Sequence, residues 1–289
     1  MFHGSYVALV TPFKNGQVDY QKLGELVEFH VKNGTQGIVP CGTTGESATL
    51  SFEEHEKIIG EVVSIVAGRI RVLAGAGSNN TTEALRLAKH AKKIGADGAL
   101  LITPYYNKPT PEGLYRHYKL IAESVDIPIV MYNVPSRTGI SIQPETVARL
   151  SEIKNIVGIK EASGSIDQAT QILQLCNITV LSGDDSLTLP IMSVGGRGVI
   201  SVVANVVPAD TAALTRNCLE GNFDAARKCH FKLFPLCKSM FIETNPIPVK
   251  TAMRMLGRLN GEMRLPLCDM TKEHESQLMG TLKNYGLIS

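Results

Sequence analysis

The stretch RVLAGAGSNNTTEALRLAKHAKKIGADGALLITP (71–104) contains the pattern that decides the fold. It begins and ends with short apolar runs, RVLAGAG (71–77) and GALLITP (98–104), which are typical of strands covered on both faces. The segment between them has helical period, opens with Thr81 and stops at Gly95. The stretch therefore predicts a strand–helix–strand unit. Its inward helical stripe is Ala84, Leu87, Ala88 and Ala91.

The same rhythm extends in both directions along the chain. Two further helical patterns are LGELVEFHVKNG (23–34) and EEHEKIIGEVVSIVAG (53–68). Each further apolar run has Gly, Pro, Thr, Asn or Asp, the residues typical of turns, at or near its end. These runs are YVALVTPF (6–13), GIVPCG (37–42), IPIVMYNV (127–134), IVGIKEA (156–162), ITVLSGDD (178–185) and GVISVVANV (198–206).

Eight strand–helix units at intervals of about 20–35 residues are the repeat of a (β/α)₈ TIM barrel of class α/β. The main rival is a doubly wound open sheet, which normally carries a phosphate or dinucleotide fingerprint after its first strand. The first strand here is followed by TPFKNG (11–16), which has no such motif. Eight strands in about 200 residues favour the closed barrel.

The residues from about 208 onward are helical in pattern and too many for the eighth barrel helix alone. They contain two amphipathic helices separated near Gly221, followed by helices in 246–259 and 272–287. We therefore expect a catalytic barrel domain over 1–225 and a small C-terminal helical appendage over 226–289.

Composition excludes several classes of protein. The chain has 289 residues with 29 Lys and Arg against 27 Asp and Glu, so its net charge of +2 gives no electrostatic reason to expect nucleic acid or an anionic membrane as partner. No apolar run is long enough to span a membrane, and the N-terminus lacks the basic region of a signal peptide, so we expect a cytoplasmic protein. The six cysteines show no CxxC spacing, and we expect neither a disulfide nor a metal at them.

Lys160 is the most informative polar residue. It lies within the apolar strand IVGIKEAS (156–163), where alternation places Gly158, Lys160 and Ala162 on one face and Glu161 on the other. Burial without a carboxylate partner favours a neutral amine, which imine chemistry on a carbonyl requires. The alternative is a structural salt bridge with Glu161 or Asp184, and the residue pattern alone leaves both open.

Other polar residues follow neighbouring strands, at the end of the barrel where catalytic groups lie. Tyr132 ends the preceding strand and could exchange a proton with an imine, although a lone core tyrosine is more often structural. The turn GTTGE (42–46) offers backbone N–H groups and the hydroxyls of Thr43 and Thr44 to a carboxylate. Arg137 suits a second carboxylate, or else pairs with a surface acid.

Motifs for other chemistries are missing. The seven histidines do not cluster and form no HExxH, which disfavours a zinc-dependent aldolase. There is no GxGxxG, P-loop or GxSxG motif, and we expect no cofactor and no metal. A phosphate-binding barrel would need an anion loop after its seventh strand, where LSGDD (181–185) is acidic.

Taken together, these motifs resemble the dihydrodipicolinate synthase family of pyruvate-dependent class I aldolases. The resemblance covers essentially the whole chain in the family's order. The motifs are GTTGES (42–47), TPYYNKP (103–109), YNVPSRTG (132–139), GIKEASG (158–164), LSGDD (181–185) and NPIPVK (245–250).

The resemblance implies a lyase that condenses pyruvate with L-aspartate 4-semialdehyde on the route to diaminopimelate and lysine. By resemblance, Lys160 forms the imine with pyruvate, Tyr132 donates and accepts protons, and Thr43 links Tyr132 to Tyr106, which the family inserts into the neighbouring subunit's site. The family is usually a homotetramer of two tight dimers. Thr44 and Ile200 match positions that hold pyruvate, and Arg137 matches the residue that binds the aldehyde's carboxylate.

Some members of the family are inhibited by L-lysine at the tight-dimer interface. Phe52 is a departure from the pattern, because some lysine-sensitive relatives carry a polar residue there. The positions that match this allosteric lysine site are Ser47, Ala48, His55, Asn79, Glu83 and Tyr105.

Three alternatives follow from the same residues. N-acetylneuraminate lyase and 2-keto-3-deoxy-sugar-acid aldolases share the imine lysine, but need hydroxyl partners where this chain has Arg137. A non-catalytic barrel used for binding would be expected to lack Lys160, Tyr132 or Tyr106, all of which are present.

Overall fold

The strands form where short apolar runs end at turn residues, and they close on themselves. The computed structural model describes all residues, Met1–Ser289. Eight parallel strands pair in a closed ring in which the first strand contacts the second and the eighth, which confirms the predicted barrel. The strands are β1 (Gly4–Ala8), β2 (Gly37–Val39), β3 (Arg71–Gly75), β4 (Gly98–Ile102), β5 (Ile129–Asn133), β6 (Ile156–Glu161), β7 (Thr179–Ser182) and β8 (Gly198–Ser201).

Helices connect the strands and continue beyond the barrel. A small hairpin, Phe13–Lys14 with Gln17–Val18, follows β1. No helix is both long and apolar enough to cross a membrane. The helices are α1 (Tyr20–Lys32), α2 (Phe52–Val66), α3 (Thr81–Lys93), α4 (Pro111–Ser124), α5 (Pro135–Thr138), α6 (Pro144–Ser151), α7 (Ile166–Leu175), α8 (Thr188–Ser193), α9 (Pro208–Leu219), α10 (Phe223–Ser239), α11 (Ile247–Met255) and α12 (Lys272–Tyr285).

Two separate apolar cores result from the alternation of side chains along the strands. The larger one lies between the barrel and its helices and includes Leu278 and Leu282 of α12. The smaller one fills the barrel interior and includes Phe2, Tyr6 and Ile200, of which Tyr6 and Ile200 are register partners on β1 and β8. Polar side chains at the C-terminal ends of the strands lie above this interior core.

Some predicted element ends were wrong for identifiable reasons. The run 198–206 is a strand only to Ser201. There the Ser201 hydroxyl accepts a hydrogen bond from the Ala204 N–H, and the chain turns. In β6 a register shift opposite Ile129 brings Val157 against the interior core, although simple alternation would place it outside. Helix α3 begins at Thr81, where the sequence places its start, and its cap is Asn80, whose side chain accepts a hydrogen bond from the Thr82 N–H.

The C-terminal region contains the expected helices. Helices α9 and α10 are separated at Gly221, whose φ of +76° is the left-handed conformation that favours glycine. Helix α9 completes the eighth strand–helix unit, and α10, α11 and α12 follow it. The domain boundary at 225/226 stays a prediction; it falls within the first turn of α10.

Candidate active site

Lys160 lies inside the barrel, beside Tyr132. The two residues are register partners on β6 and β5, and the Lys160 Nζ atom is 4.1 Å from the centroid of the Tyr132 ring. Lys160 is only 6% exposed. A Cβ atom at Gly183 on the next strand's end would lie 3.1 Å from the Lys160 Cε atom, so glycine at 183 leaves the space that the lysine occupies.

The two carboxylates that could have paired with Lys160 have other partners. Glu161 points to the opposite face of β6, where it accepts hydrogen bonds from Asn133 Nδ2 (2.9 Å) and the Ser163 N–H (2.6 Å). Asp184 accepts from the N–H and the hydroxyl of Ser186, both at 2.8 Å. Neither forms an ion pair with Lys160, so the salt-bridge alternative is not what the structure contains.

A cavity of about 290 Å³ opens above Lys160 and Tyr132. It brings together five of the seven residues predicted for catalysis and substrate binding. These are Lys160, Tyr132, Thr43, Thr44 and Arg137.

The turn after β2 presents its two threonines to this cavity. The N–H groups of Gly45 and Glu46 donate to the carbonyls of Gly42 and Thr43, which closes the turn. The Thr44 hydroxyl accepts a hydrogen bond from Asn245 Nδ2 (3.0 Å), which fixes its position. Thr43 lines the cavity beside it and is only partly buried.

Arg137 lies on the short helix α5 at the cavity rim. Its guanidinium donates to the carbonyl of Asn245 (3.0 Å) and forms no ion pair with a carboxylate. The exposed arginine therefore keeps donors available to an anionic ligand, rather than pairing with a surface acid.

Two predicted residues lie outside the cavity lining. Ile200 is fully buried in the interior core of the barrel, on β8. Tyr106 is 91% exposed and has a φ of +73°, so within this single chain its side chain projects into solvent.

Several cavity residues were missed by sequence reasoning. Asn245 contacts both the Thr44 hydroxyl and the Arg137 guanidinium, and its side-chain Oδ1 is buried without a partner. Helix α10 contributes Cys237 and Lys238 to the lining, and Phe241 follows just after its end, so the C-terminal region closes the cavity. The signal for Asn245 in the sequence is its place at the start of the motif NPIPVK (245–250).

Asp185, next to the cavity, serves the backbone instead of the ligand. Its Oδ2 atom accepts the N–H groups of Val202 (2.9 Å) and Val203 (3.0 Å) after β8. Complete burial raises the pKa of this carboxyl, and these hydrogen bonds oppose the rise.

A second cavity of about 430 Å³ adjoins the first. Thr43, Arg137 and Asn245 line both cavities, so the two are neighbours across one layer of side chains. Phe52 also lines it. Five of the six residues predicted for an allosteric lysine site line this cavity: Ser47, Ala48, His55, Glu83 and Tyr105.

The polar groups of the second cavity have defined surroundings. His55 Nε2 donates to the Gly75 carbonyl (2.7 Å), and burial lowers the pKa of the ring, so it is neutral at pH 7. Glu83 accepts from the Ser78 hydroxyl (2.8 Å). Asn79 is outside the lining, and its carbonyl accepts from Asn107 Nδ2 (2.9 Å).

Comparison with known proteins identifies close relatives over the full length. The sequence profile of the dihydrodipicolinate synthetase family matches residues 1–285. A 4-hydroxy-tetrahydrodipicolinate synthase from Syntrophus aciditrophicus (strain SB) is 57% identical over 290 residues, with all of both chains covered.

Two solved structures share the fold closely. The chloride-inhibited dihydrodipicolinate synthase from Acinetobacter baumannii, complexed with pyruvate, is 44% identical with a TM-score of 0.98 and full coverage of both chains. The enzyme from Cyanidioschyzon merolae with lysine bound is 42% identical with a TM-score of 0.96, and 99% of each chain is covered.

Proposed function

The chain belongs to the dihydrodipicolinate synthetase family, and we propose that it condenses pyruvate with L-aspartate 4-semialdehyde through an imine on Lys160. It is a lyase with the activity of the 4-hydroxy-tetrahydrodipicolinate synthases, in lysine and diaminopimelate biosynthesis. One observation carries the assignment of Lys160. Its amine is buried beside Tyr132, under a cavity rimmed by Arg137, with no carboxylate paired to it.

The first half of the reaction makes pyruvate a nucleophile. The Lys160 amine attacks the keto carbon of pyruvate, and water leaves as the C=N bond forms. The protonated imine draws electrons from the methyl group, so loss of a methyl proton gives an enamine. We assign the transfer of these protons to the Tyr132 hydroxyl, and the packing of its ring against the Lys160 amine supports this assignment.

The second half forms the new carbon–carbon bond. The enamine carbon attacks the aldehyde carbon, and the aldehyde oxygen takes a proton to become a hydroxyl. The amino group of the semialdehyde part then displaces Lys160 from the imine carbon, which closes a ring and frees the enzyme. We assign proton transfer between this site and solvent to the hydroxyls of Tyr132, Thr43 and the partner copy's Tyr106.

The substrate carboxylates are assigned to two parts of the cavity. Thr44 and the turn around it would hold the pyruvate carboxylate, with Ile200 beneath as an apolar floor. Arg137 would hold the carboxylate of the semialdehyde, because its guanidinium is free of acidic partners.

Regulation and assembly are part of the same proposal. The second cavity would bind L-lysine as a feedback inhibitor, which the lysine-bound relative supports. We also propose a cytoplasmic homotetramer, built as two tight dimers in which Tyr106 enters the partner's site.

The test is a paired assay of the purified protein. One tube contains pyruvate and L-aspartate 4-semialdehyde, the other pyruvate and N-acetylmannosamine, and mass spectrometry follows the products. We expect a condensation product in the first tube only, since Arg137 suits a carboxylate better than a sugar hydroxyl. Borohydride added with pyruvate should attach the reduced adduct to Lys160.

The opposite results would be equally clear. Product in the second tube only would keep the imine on Lys160 but overturn the choice of aldehyde. No product in either tube, together with unmodified Lys160 after borohydride treatment, would overturn the imine mechanism itself.

A further inference from the structure

An ion pair is completely buried just outside the active cavity. The Lys250 Nζ atom donates to Glu46 Oε1 (2.5 Å) and to the carbonyl of Thr11 (2.9 Å). Both charged side chains are 0% exposed. The second carboxylate oxygen of Glu46 accepts the N–H of Arg264 (3.1 Å). The pair thus joins the loop after β1, the turn after β2 and the C-terminal helix α11.

Stability alone does not explain this arrangement. Desolvating two charges offsets most of their attraction, and a well-packed apolar pair in the same place is often as stable or more stable. Glu46 also adopts a φ of +55°, a left-handed conformation that is unfavourable for a side chain of its size. Costs of this kind persist where they hold a functional geometry.

The ion pair holds the geometry of the turn after β2, which carries Thr43 and Thr44. Glu46 ends the turn, and its N–H donates to the Thr43 carbonyl (3.1 Å). Asn245, five residues before Lys250, donates to the Thr44 hydroxyl (3.0 Å). The segment 245–250 therefore holds the turn at two points, Thr44 and Glu46. Thr43 directly precedes Thr44, and its carbonyl accepts the hydrogen bond from the Glu46 N–H.

We infer that Glu46 and Lys250 are positioning residues that hold the Thr43 hydroxyl in line for proton transfer. The inference rests on the proposed function, because Thr43 matters only if its hydroxyl is part of the relay. The pair touches no substrate; it acts by keeping the turn in one place, so that the hydroxyl does not have to be ordered in each turnover.

The experiment is a double-mutant cycle between the pair and Thr43. The pair is neutralised as Glu46→Gln/Lys250→Met, in the wild-type chain and in Thr43→Val. The readout is kcat with pyruvate and L-aspartate 4-semialdehyde, divided by the fraction of Lys160 that borohydride traps with pyruvate. This division removes misfolded protein from the comparison. The control is Arg71→Met/Asp97→Asn, an ion pair at the other end of the barrel.

We expect the neutralised pair to lower kcat by about tenfold in the wild-type chain and by less than about twofold in Thr43→Val. Imine trapping should persist in every variant, and the control should keep its kcat. If the double variant does not fold, Glu46→Gln alone takes its place in the cycle, because glutamine removes the ion pair while it can still accept a hydrogen bond from Lys250. This variant should also lower kcat more in the wild-type chain than in Thr43→Val.

Three results would overturn the inference. Equal losses of kcat in both backgrounds would show that the pair acts independently of Thr43. An unchanged kcat in the neutralised chain would show that the pair positions nothing. A Thr43→Val enzyme with full kcat would overturn the relay in the proposed function, and the inference with it.

Discussion

Two lysines are buried in this protein, and their surroundings indicate different roles for them. Lys250 has a carboxylate partner, Glu46, and burial lowers its pKa while that carboxylate opposes the change. Lys160 faces an aromatic ring and a cavity instead. Alternation within one strand was enough to predict where Lys160 points. The pairing of Lys250 joins residues 204 positions apart, and no local pattern contains it.

At the scale of one residue, we predict that Glu83 decides the response to L-lysine. Millimolar L-lysine should lower the initial rate of the wild-type enzyme, because the Glu83 carboxylate attracts an ammonium group in the second cavity. Glu83→Gln should raise the inhibition constant by about tenfold or more and leave the uninhibited rate nearly unchanged. The measurement is initial rate against lysine concentration.

A matched control is Glu112→Gln, on the surface with Arg116 and Arg149 as partners. It should respond to lysine like the wild type. A wild-type rate that does not change with millimolar lysine would contradict the regulatory site altogether.

At the scale of the element, strand glycines let the barrel close around large side chains. A Cβ atom at Gly37 of β2 would lie 2.0 Å from the Tyr6 ring, and one at Gly75 of β3 would lie 2.2 Å from the Cys41 carbonyl oxygen. The first contact is between the neighbouring strands β1 and β2, and the second is between β3 and the loop after β2. Glycine at these positions therefore sets how closely these segments approach. The run RVLAGAG (71–77) predicted the strand, but not which neighbouring atoms would lie close to its glycines.

We predict opposite effects of two glycine substitutions. Gly75→Ala should lower the free energy of unfolding by about 2 kcal/mol or more, since its methyl group would meet backbone that cannot move cheaply. Gly60→Ala, within α2 and with nothing within 4 Å of the new atom, should raise it by about 0.5–1 kcal/mol. Urea unfolding of both variants measures the two changes. A Gly75→Ala chain as stable as the wild type would contradict the close packing of β3 against the loop after β2.

At the scale of the whole molecule, the barrel mouth is completed by parts distant in sequence. Helix α10 and the segment around Asn245 close one side of the active cavity. Tyr106 remains in solvent at 91% exposure, although it belongs to the proposed relay. A single chain therefore contains an incomplete version of the proposed site.

We predict that two inactive chains restore each other when they assemble together. Tyr106→Phe should lose most turnover and still form the pyruvate adduct, while Lys160→Ala should form no adduct. In a mixed dimer, the site with intact Lys160 receives an intact Tyr106 from its partner, so about half of the wild-type activity should return. The two chains are coexpressed with different tags, and assemblies carrying both tags are assayed.

Activity no higher than that of the separate variants would show that Tyr106 does not cross between subunits. Coexpression of Lys160→Ala with Tyr132→Phe is the control. It should regain no more than a small fraction of the wild-type activity, because Tyr132 and Lys160 of one site belong to the same chain.

The sequence by itself determined the eight strands, the barrel class and the inward direction of Lys160 and Tyr132. These features depend on local periodicity, which a strand or helix expresses wherever it lies. Thr44 with Asn245, Glu46 with Lys250 and the buried position of Ile200 below the cavity were decided by tertiary structure. The first two contacts join residues about 200 positions apart. They exist only because closure of the barrel brings the C-terminal segment over the turn that follows β2.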